Sequence, residues 1–237
     1  MPVAVKYREG VQHGFVVLRN EKDDIIATGD LTQVPKGDQI VSKLTLKFHD
    51  GSSYEDIAIF SQRRSFRLIS DHLVHKGPSF KYPLDLLVDC RSGTVTVISA
   101  DDDGKPKTTQ EKLHLPANLS NGFTATLLKN TRPDSGEPLK LPFIVATPKV
   151  RLVKLVVTSA GKSSYSFGGS SRKALHYVIK IELGGVAGVV APIVGKQPAD
   201  TEVWITDDDA PVVIRSRGPM FDGGPIWTLD FAAPAWP

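Results

Sequence analysis

Catalytic or metal chemistry in this chain would have to come from six histidines, one cysteine and two acidic triplets. His72 and His75 stand three apart in a run of strand character, so they point to opposite faces and cannot share a metal there. Asp101-Asp102-Asp103 is followed by Gly104. Setting that glycine at the sixth place of a calcium loop puts Ser99 first and Gln110 last, where aspartate and a bidentate glutamate are wanted. Asp207-Asp208-Asp209 has no glycine after it. Both triplets read as solvated turns, and no metal or cofactor is expected. Cys90, in Val88-Asp89-Cys90-Arg91, has no neighbouring histidine to act as its base and reads as a small buried residue. No Gly-x-Ser-x-Gly elbow occurs. Arg67, His72 and Glu182 remain as ordinary, unranked candidates for an enzyme.

Two segments suit binding better than catalysis. Phe167-Gly168-Gly169-Ser170-Ser171-Arg172-Lys173 joins glycine backbone, hydroxyls and cations. Such a stretch can cradle an anionic head group through N–H groups, with Ser170, Ser171 and Arg172 as contacts. It lacks phosphate-loop spacing, and a hairpin turn leading into a strand at Ala174 is the structural alternative. Residues 184–195, Gly-Gly-Val-Ala-Gly-Val-Val-Ala-Pro-Ile-Val-Gly, carry no charge and no hydrogen-bonding side chain. Their glycines and proline suit neither a regular strand nor a helix. An apolar stretch of this kind has to cover something. We expect Val186, Val189, Val190 and Ile193 at the opening of an apolar cavity, against a ligand or the protein's own core.

The elements that would position these groups are strands. Leu44, Leu46 and Phe48 alternate with Lys43, Thr45 and Lys47. Leu175, Tyr177, Ile179 and Ile181 oppose His176, Lys180 and Glu182, while Trp227, Leu229 and Phe231 oppose Thr228 and Asp230. A period of two marks strands with one face on a core and one in water. Further strands are expected over 14–19, 25–33, 54–61, 65–75, 84–90, 94–99, 107–115, 150–158, 203–206 and 212–216. His49-Asp50-Gly51, Asp103-Gly104-Lys105, Arg91-Ser92-Gly93 and Ser159-Ala160-Gly161 read as turns between them. Short turns between successive strands imply an antiparallel meander. One substantial helix is expected over 118–130, where Leu119, Phe123, Leu127 and Leu128 share a face and Asn118 can cap the start. It would plug or cover a curved sheet. Trp204 and Trp227 are expected to be buried or to line a cavity, with Leu229 and Phe231 sharing the inner face of Trp227.

Composition narrows the partners. The net charge of +3 is spread over 29 basic and 26 acidic side chains, too small an excess to imply nucleic acid. No apolar run reaches the length of about 18 residues that spans a bilayer, so no transmembrane segment is expected. At 237 residues the chain is long enough for one large β domain, 1–237, to bury its own core. The start, Met1-Pro2-Val3-Ala4-Val5-Lys6, has no signal-peptide layout.

The C-terminal part carries a resemblance. Val203-Trp204-Ile205-Thr206-Asp207-Asp208, then Ala210-Pro211-Val212-Val213-Ile214, then Gly223-Gly224-Pro225-Ile226-Trp227-Thr228-Leu229 resembles the end of certain uncharacterised bacterial envelope proteins. Those proteins look like relatives of the periplasmic lipoprotein-carrier fold. The resemblance implies an antiparallel half-barrel around a helix-containing plug, with an apolar cavity for acyl chains and no defined catalytic residues. The expectation is a mainly β protein, a half-barrel or open-barrel meander, that holds a lipid or other apolar small molecule in the periplasm. An enzyme using the same pocket, a structural envelope protein and a cytoplasmic location are the alternatives.

Overall fold

A computed structural model of the chain describes residues 2–100, 105–131, 136–146, 149–167, 170–182 and 198–232. Period-two patterning becomes strand in β1 (Gln12–Arg19), β2 (Ile25–Lys36), β3 (Gln39–Phe48), β4 (Ser53–Gln62), β5 (Phe66–Lys76), β6 (Leu84–Asp89), β7 (Thr94–Ala100) and β8 (Pro106–Lys112). A short helix, α1 (Thr124–Lys129), follows. The second half comprises β9 (Leu139–Val145), β10 (Arg151–Phe167), β11 (Ser170–Glu182), β12 (Thr201–Thr206), β13 (Val213–Gly218) and β14 (Trp227–Ala232).

All of these strands lie in one 14-stranded antiparallel sheet, ordered β8-β7-β6-β5-β4-β3-β2-β1-β14-β13-β12-β11-β10-β9. Every strand pairs with its sequence neighbour except β8 and β9, and the first strand pairs with the last through Phe15↔Ala232 to Arg19↔Thr228. The meander therefore runs round as a ring that stays open at one place, between β8 and β9. The connection across that opening carries α1.

The sheet wraps around this connection. Leu119, Phe123, Leu127 and Leu128 are packed with Ile40, Phe60, Phe66, Leu86 and Val95 of the first half and with Leu141, Leu155, Tyr177, Val203 and Ile205 of the second. Phe123 stacks on Phe60 at 4.8 Å. The face shared by these residues is thus the plug that the spacing implied, but the substantial helix is not there. Gly122 has φ +68, and Phe123 begins a six-residue helix with no side-chain cap. A left-handed residue cannot continue a helix, so the first turns of the expected element are irregular chain. Asn121 is engaged elsewhere. It donates from Nδ2 to the Ile144 carbonyl and accepts the Ile144 N–H at Oδ1, while Ser120 N and Oγ both donate to the Pro142 carbonyl. The plug thereby satisfies the free edge of β9.

Two further expectations change. Residues 159–161 do not turn the chain; β10 runs through them with a bulge, its register passing from Ser159↔Tyr177 to Lys162↔Leu175, and Gly161 has φ +88. The strand β9 was not expected at all. Pro142 argues against a central strand. Its carbonyl points to Ser120 rather than to β10, so the missing N–H lies on the edge side and costs the sheet nothing. The turns at 49–51 and 91–93 form as expected. Asp101, Asp102, Asp103 and Gly104 lie outside the described residues.

A second cluster fills one end of the sheet. Val16, Leu18, Ala27, Leu46, Phe48, Tyr54, Phe80 and Trp227 are buried together, with Leu229 and Phe231 packed against them. The inner-face assignment of Trp227, Leu229 and Phe231 therefore holds. At the other end the N-terminal segment closes over the plug. Glu9 N donates to Gln62 Oε1, Gln62 Nε2 donates to the Glu9 carbonyl, and Lys129 Nζ lies 2.7 Å from Glu9 Oε1.

Candidate functional site

Between the plug cluster and the aromatic end lies one row of inward side chains whose leucines pack on the aromatic cluster yet stay partly exposed. Cross-strand register sets Gly14 beside Leu31, Leu31 beside Leu44, Leu44 beside Asp56 and Asp56 beside Leu73. Paired residues of this kind stand about 5 Å apart and share a face. The row on the aromatic side, with Leu46, Tyr54 and His75, is buried, and so is the row on the plug side, with Gln33, Ser42, Ala58 and Asp71. Leu31, Leu44, Asp56 and Leu73, between them, remain partly exposed. Gly14 and Gly29 contribute no side chain to this space. At Gly14 an added β-carbon would stand 3.1 Å from the Phe231 ring, and at Gly29 it would stand 1.7 Å from the Thr45 carbonyl oxygen. The second value shows how tightly β2 bends over β3 here, and only glycine allows it.

Asp56 and Asp71 are the chemistry of this groove. They sit on adjacent strands one row apart, Asp56 opposite Leu73 and Asp71 opposite Ala58, within hydrogen-bonding reach of each other. Asp71 is 2% exposed. Asp56 is half-buried as a residue, but its Oδ1 is enclosed, and neither Asp56 Oδ1 nor Asp71 Oδ1 meets a hydrogen-bond donor. Burial pushes the Asp56 carboxyl up to about 6, against which its hydrogen bond with Asp71 acts downward. Burial, then the neighbouring Asp56 charge, pushes Asp71 well above the usual carboxylate range. Two such carboxyls in apolar surroundings hold one proton between them. The pair can accept hydrogen bonds, bind a positive group, or pass a proton near neutral pH.

The aromatic end is a packed wall. The His75 ring lies 4.4 Å from Phe80 and stacks on Tyr54, while Phe80 and Phe221 meet Trp227 at 5.9 and 5.7 Å. Burial pushes His75 down to about 4, and its Nδ1 has no hydrogen-bond partner. The imidazole is therefore a neutral ring of the wall.

The residues singled out in the sequence fall in different places. Val186, Val189, Val190 and Ile193 lie outside the described residues. The strands flanking them end at Glu182 and restart at Thr201, and the register Ile179↔Thr201, Glu202↔Arg217 and Gly218↔Trp227 puts both flanks at the aromatic end. Ser170, Ser171 and Arg172 begin β11, with Ser171 and Arg172 exposed. They stand at the opposite end of a 13-residue strand, about 40 Å from Glu182. Trp227 is 6% exposed in the aromatic cluster. Trp204 is half-buried on the outer face, its ring stacked on His176 at 4.4 Å, and His176 Nε2 lies 2.8 Å from Glu202 Oε2. Arg67 and Glu182 are exposed on separate parts of the sheet, and His72 is held by Asp85 at 2.9 Å, so these three do not converge. Cys90 packs against the plug cluster, and burial pushes its thiol up to about 12. Among the described residues, no group of three or more His, Cys, Asp or Glu is placed to hold a metal, and no helix is long and apolar enough to cross a membrane.

Sequence reasoning missed Asp56 and Asp71. The signal was present, since Asp56 interrupts the inward series Tyr54, Ala58 and Asp71 interrupts Leu73 and His75. Surface depressions of about 290 and 210 Å³ lie elsewhere. One is on the outer face around Phe15, Thr28 and Lys47, and the other is beside α1 around Tyr7, Lys129 and Pro211.

No family model matches the chain, and no curated protein matches it. Among solved structures, a β-barrel-like protein of the domain of unknown function DUF1849 from Brucella abortus aligns over 96% of this chain and 100% of that one, at 11% identity and a TM-score of 0.47.

Proposed function

We propose that the protein binds a lipid or other apolar small molecule in the groove of its curved sheet, as a periplasmic binding or carrier protein. The observation that carries this reading is the row Leu31, Leu44, Asp56 and Leu73, which faces inward, is flanked by buried rows and is itself partly open. Burying acyl carbon against such a surface contributes about 0.8 kcal/mol per methylene. The flanks of residues 184–195 emerge at the aromatic end, which supports a role for that charge-free segment beside the ligand. The periplasmic location rests on the resemblance carried by the C-terminal strands.

Uptake of a neutral fluorescent naphthylamine probe tests the reading. The native protein should bind it, and Leu44→Gln should weaken binding about tenfold, or about 1.4 kcal/mol. Leu87→Gln, on the exposed outer face, should leave binding unchanged. A native protein that takes up no probe and releases no lipid on solvent extraction overturns the reading. Fractionation of the source cells tests the location.

A further inference from the structure

We propose that the head group recognised in this groove is a protonated amine, held by Asp56 and Asp71 while its chain lies along Leu31, Leu44 and Leu73. This rests on the apolar-ligand reading and adds the chemistry of the head. Asp56 stands between Leu44 and Leu73 in the open row, so a head bound there places its chain on the leucines without further adjustment. Three buried side-chain oxygens of this row and the plug-side row have no hydrogen-bond partner. Asp56 Oδ1, Asp71 Oδ1 and, on the neighbouring strand row, Gln33 Oε1 are buried and meet no donor. Gln33 is 4% exposed and Asp71 2%. Nearby basic side chains face away, Lys43 to Glu55 at 2.7 Å and His72 to Asp85 at 2.9 Å on the outer surface. An ammonium supplies N–H donors and the charge that two carboxyls sharing one proton leave unbalanced. A carboxylate or phosphate head would bring a like charge into the same apolar space.

Competition against the naphthylamine probe by dodecylamine, dodecanol and dodecanoic acid decides the matter. All three have equal chains, so burial of the chain cancels and the head is read alone. Dodecylamine should compete at least about tenfold more tightly than the other two. Asp56→Asn and Asp71→Asn should each erase that preference, read as the ratio of dodecylamine to dodecanol competition within each variant. Should either variant fail to fold, the order of the three ligands on the native protein still decides. Equal competition by all three, or preference for the acid, overturns the amine head and leaves the apolar-ligand reading standing. If the native protein binds neither probe nor dodecylamine by calorimetry, both fall.

Discussion

A β-carbon placed on Gly122 would stand 2.0 Å from Asp71 Oδ1 and 2.7 Å from the Ala58 β-carbon. The plug therefore touches the carboxyl pair directly, and its backbone at this point has the left-handed φ of +68. Gly122→Ala adds strain and a collision against a buried carboxyl at one position. It should destabilise the protein by about 3 kcal/mol or more, read as a lower urea midpoint. An unchanged midpoint would mean that the plug does not pack on Asp71.

Asp56 and His75 should bend the pH dependence of stability in opposite directions. The folded Asp56 carboxyl holds its proton up to about 6, against an ordinary 3.8. Its contribution is complete below 3.8 and is lost as pH rises through 6. Folded His75 titrates near 4 against an ordinary 6.5, so its contribution is complete above 6.5 and is lost as pH falls towards 4. Over the shared window the two nearly cancel. Asp56→Asn should leave the histidine limb exposed, with stability rising by about 3 kcal/mol from acid to neutral pH. His75→Phe should instead show a decline with rising pH that continues as Asp71 titrates. Denaturant midpoints across pH 4–8 check this, and an Asp56→Asn profile parallel to the native one sinks it.

The sheet was legible because one face of each strand meets a core, which writes period two into the sequence. Ile25–Lys36 and Gln39–Phe48 extend only a few residues beyond what alternation implies. The helix over 118–130 misled because Leu119, Phe123 and Leu127 do share a buried surface. Irregular chain can present the same residues, and Gly122 decides between the two. Bulge and turn at 159–161 use the same glycine chemistry, so only the pairing partner distinguishes them. Asp56 and Asp71 fall on the inward parity of Tyr54 and Ala58 and of Leu73 and His75, but only the register of β4 on β5 shows that the two carboxyls meet.

Asn121 acts as a substitute strand for β9. Its amide exchanges both hydrogen bonds with the Ile144 backbone, at 2.9 and 2.8 Å, in a buried setting. Asn121→Ala leaves a buried N–H and a buried carbonyl without partners, which should cost about 2–4 kcal/mol. Amide exchange should accelerate at Ile144 ahead of its neighbours on β10. Protection of Ile144 equal to that in the native protein would show that the plug does not cap this edge.

The ion pair of Lys129 with Glu9 should be costly to break and cheap to replace. Both side chains are enclosed, at 9% and 6% exposure, with Nζ 2.7 Å from Oε1. Two charges taken out of water recover their lost hydration only through each other. Lys129→Met removes one and strands the other, since the Glu9 backbone remains fixed by Gln62. The expected loss is about 3–5 kcal/mol. Adding Glu9→Gln to Lys129→Met removes the stranded charge and should recover most of that loss, although the salt bridge is no closer to being restored. Thermal or denaturant unfolding of the two variants gives the comparison. If the double variant is no more stable than Lys129→Met alone, the loss arises from packing of the lysine stem beside α1 and not from an uncompensated carboxylate.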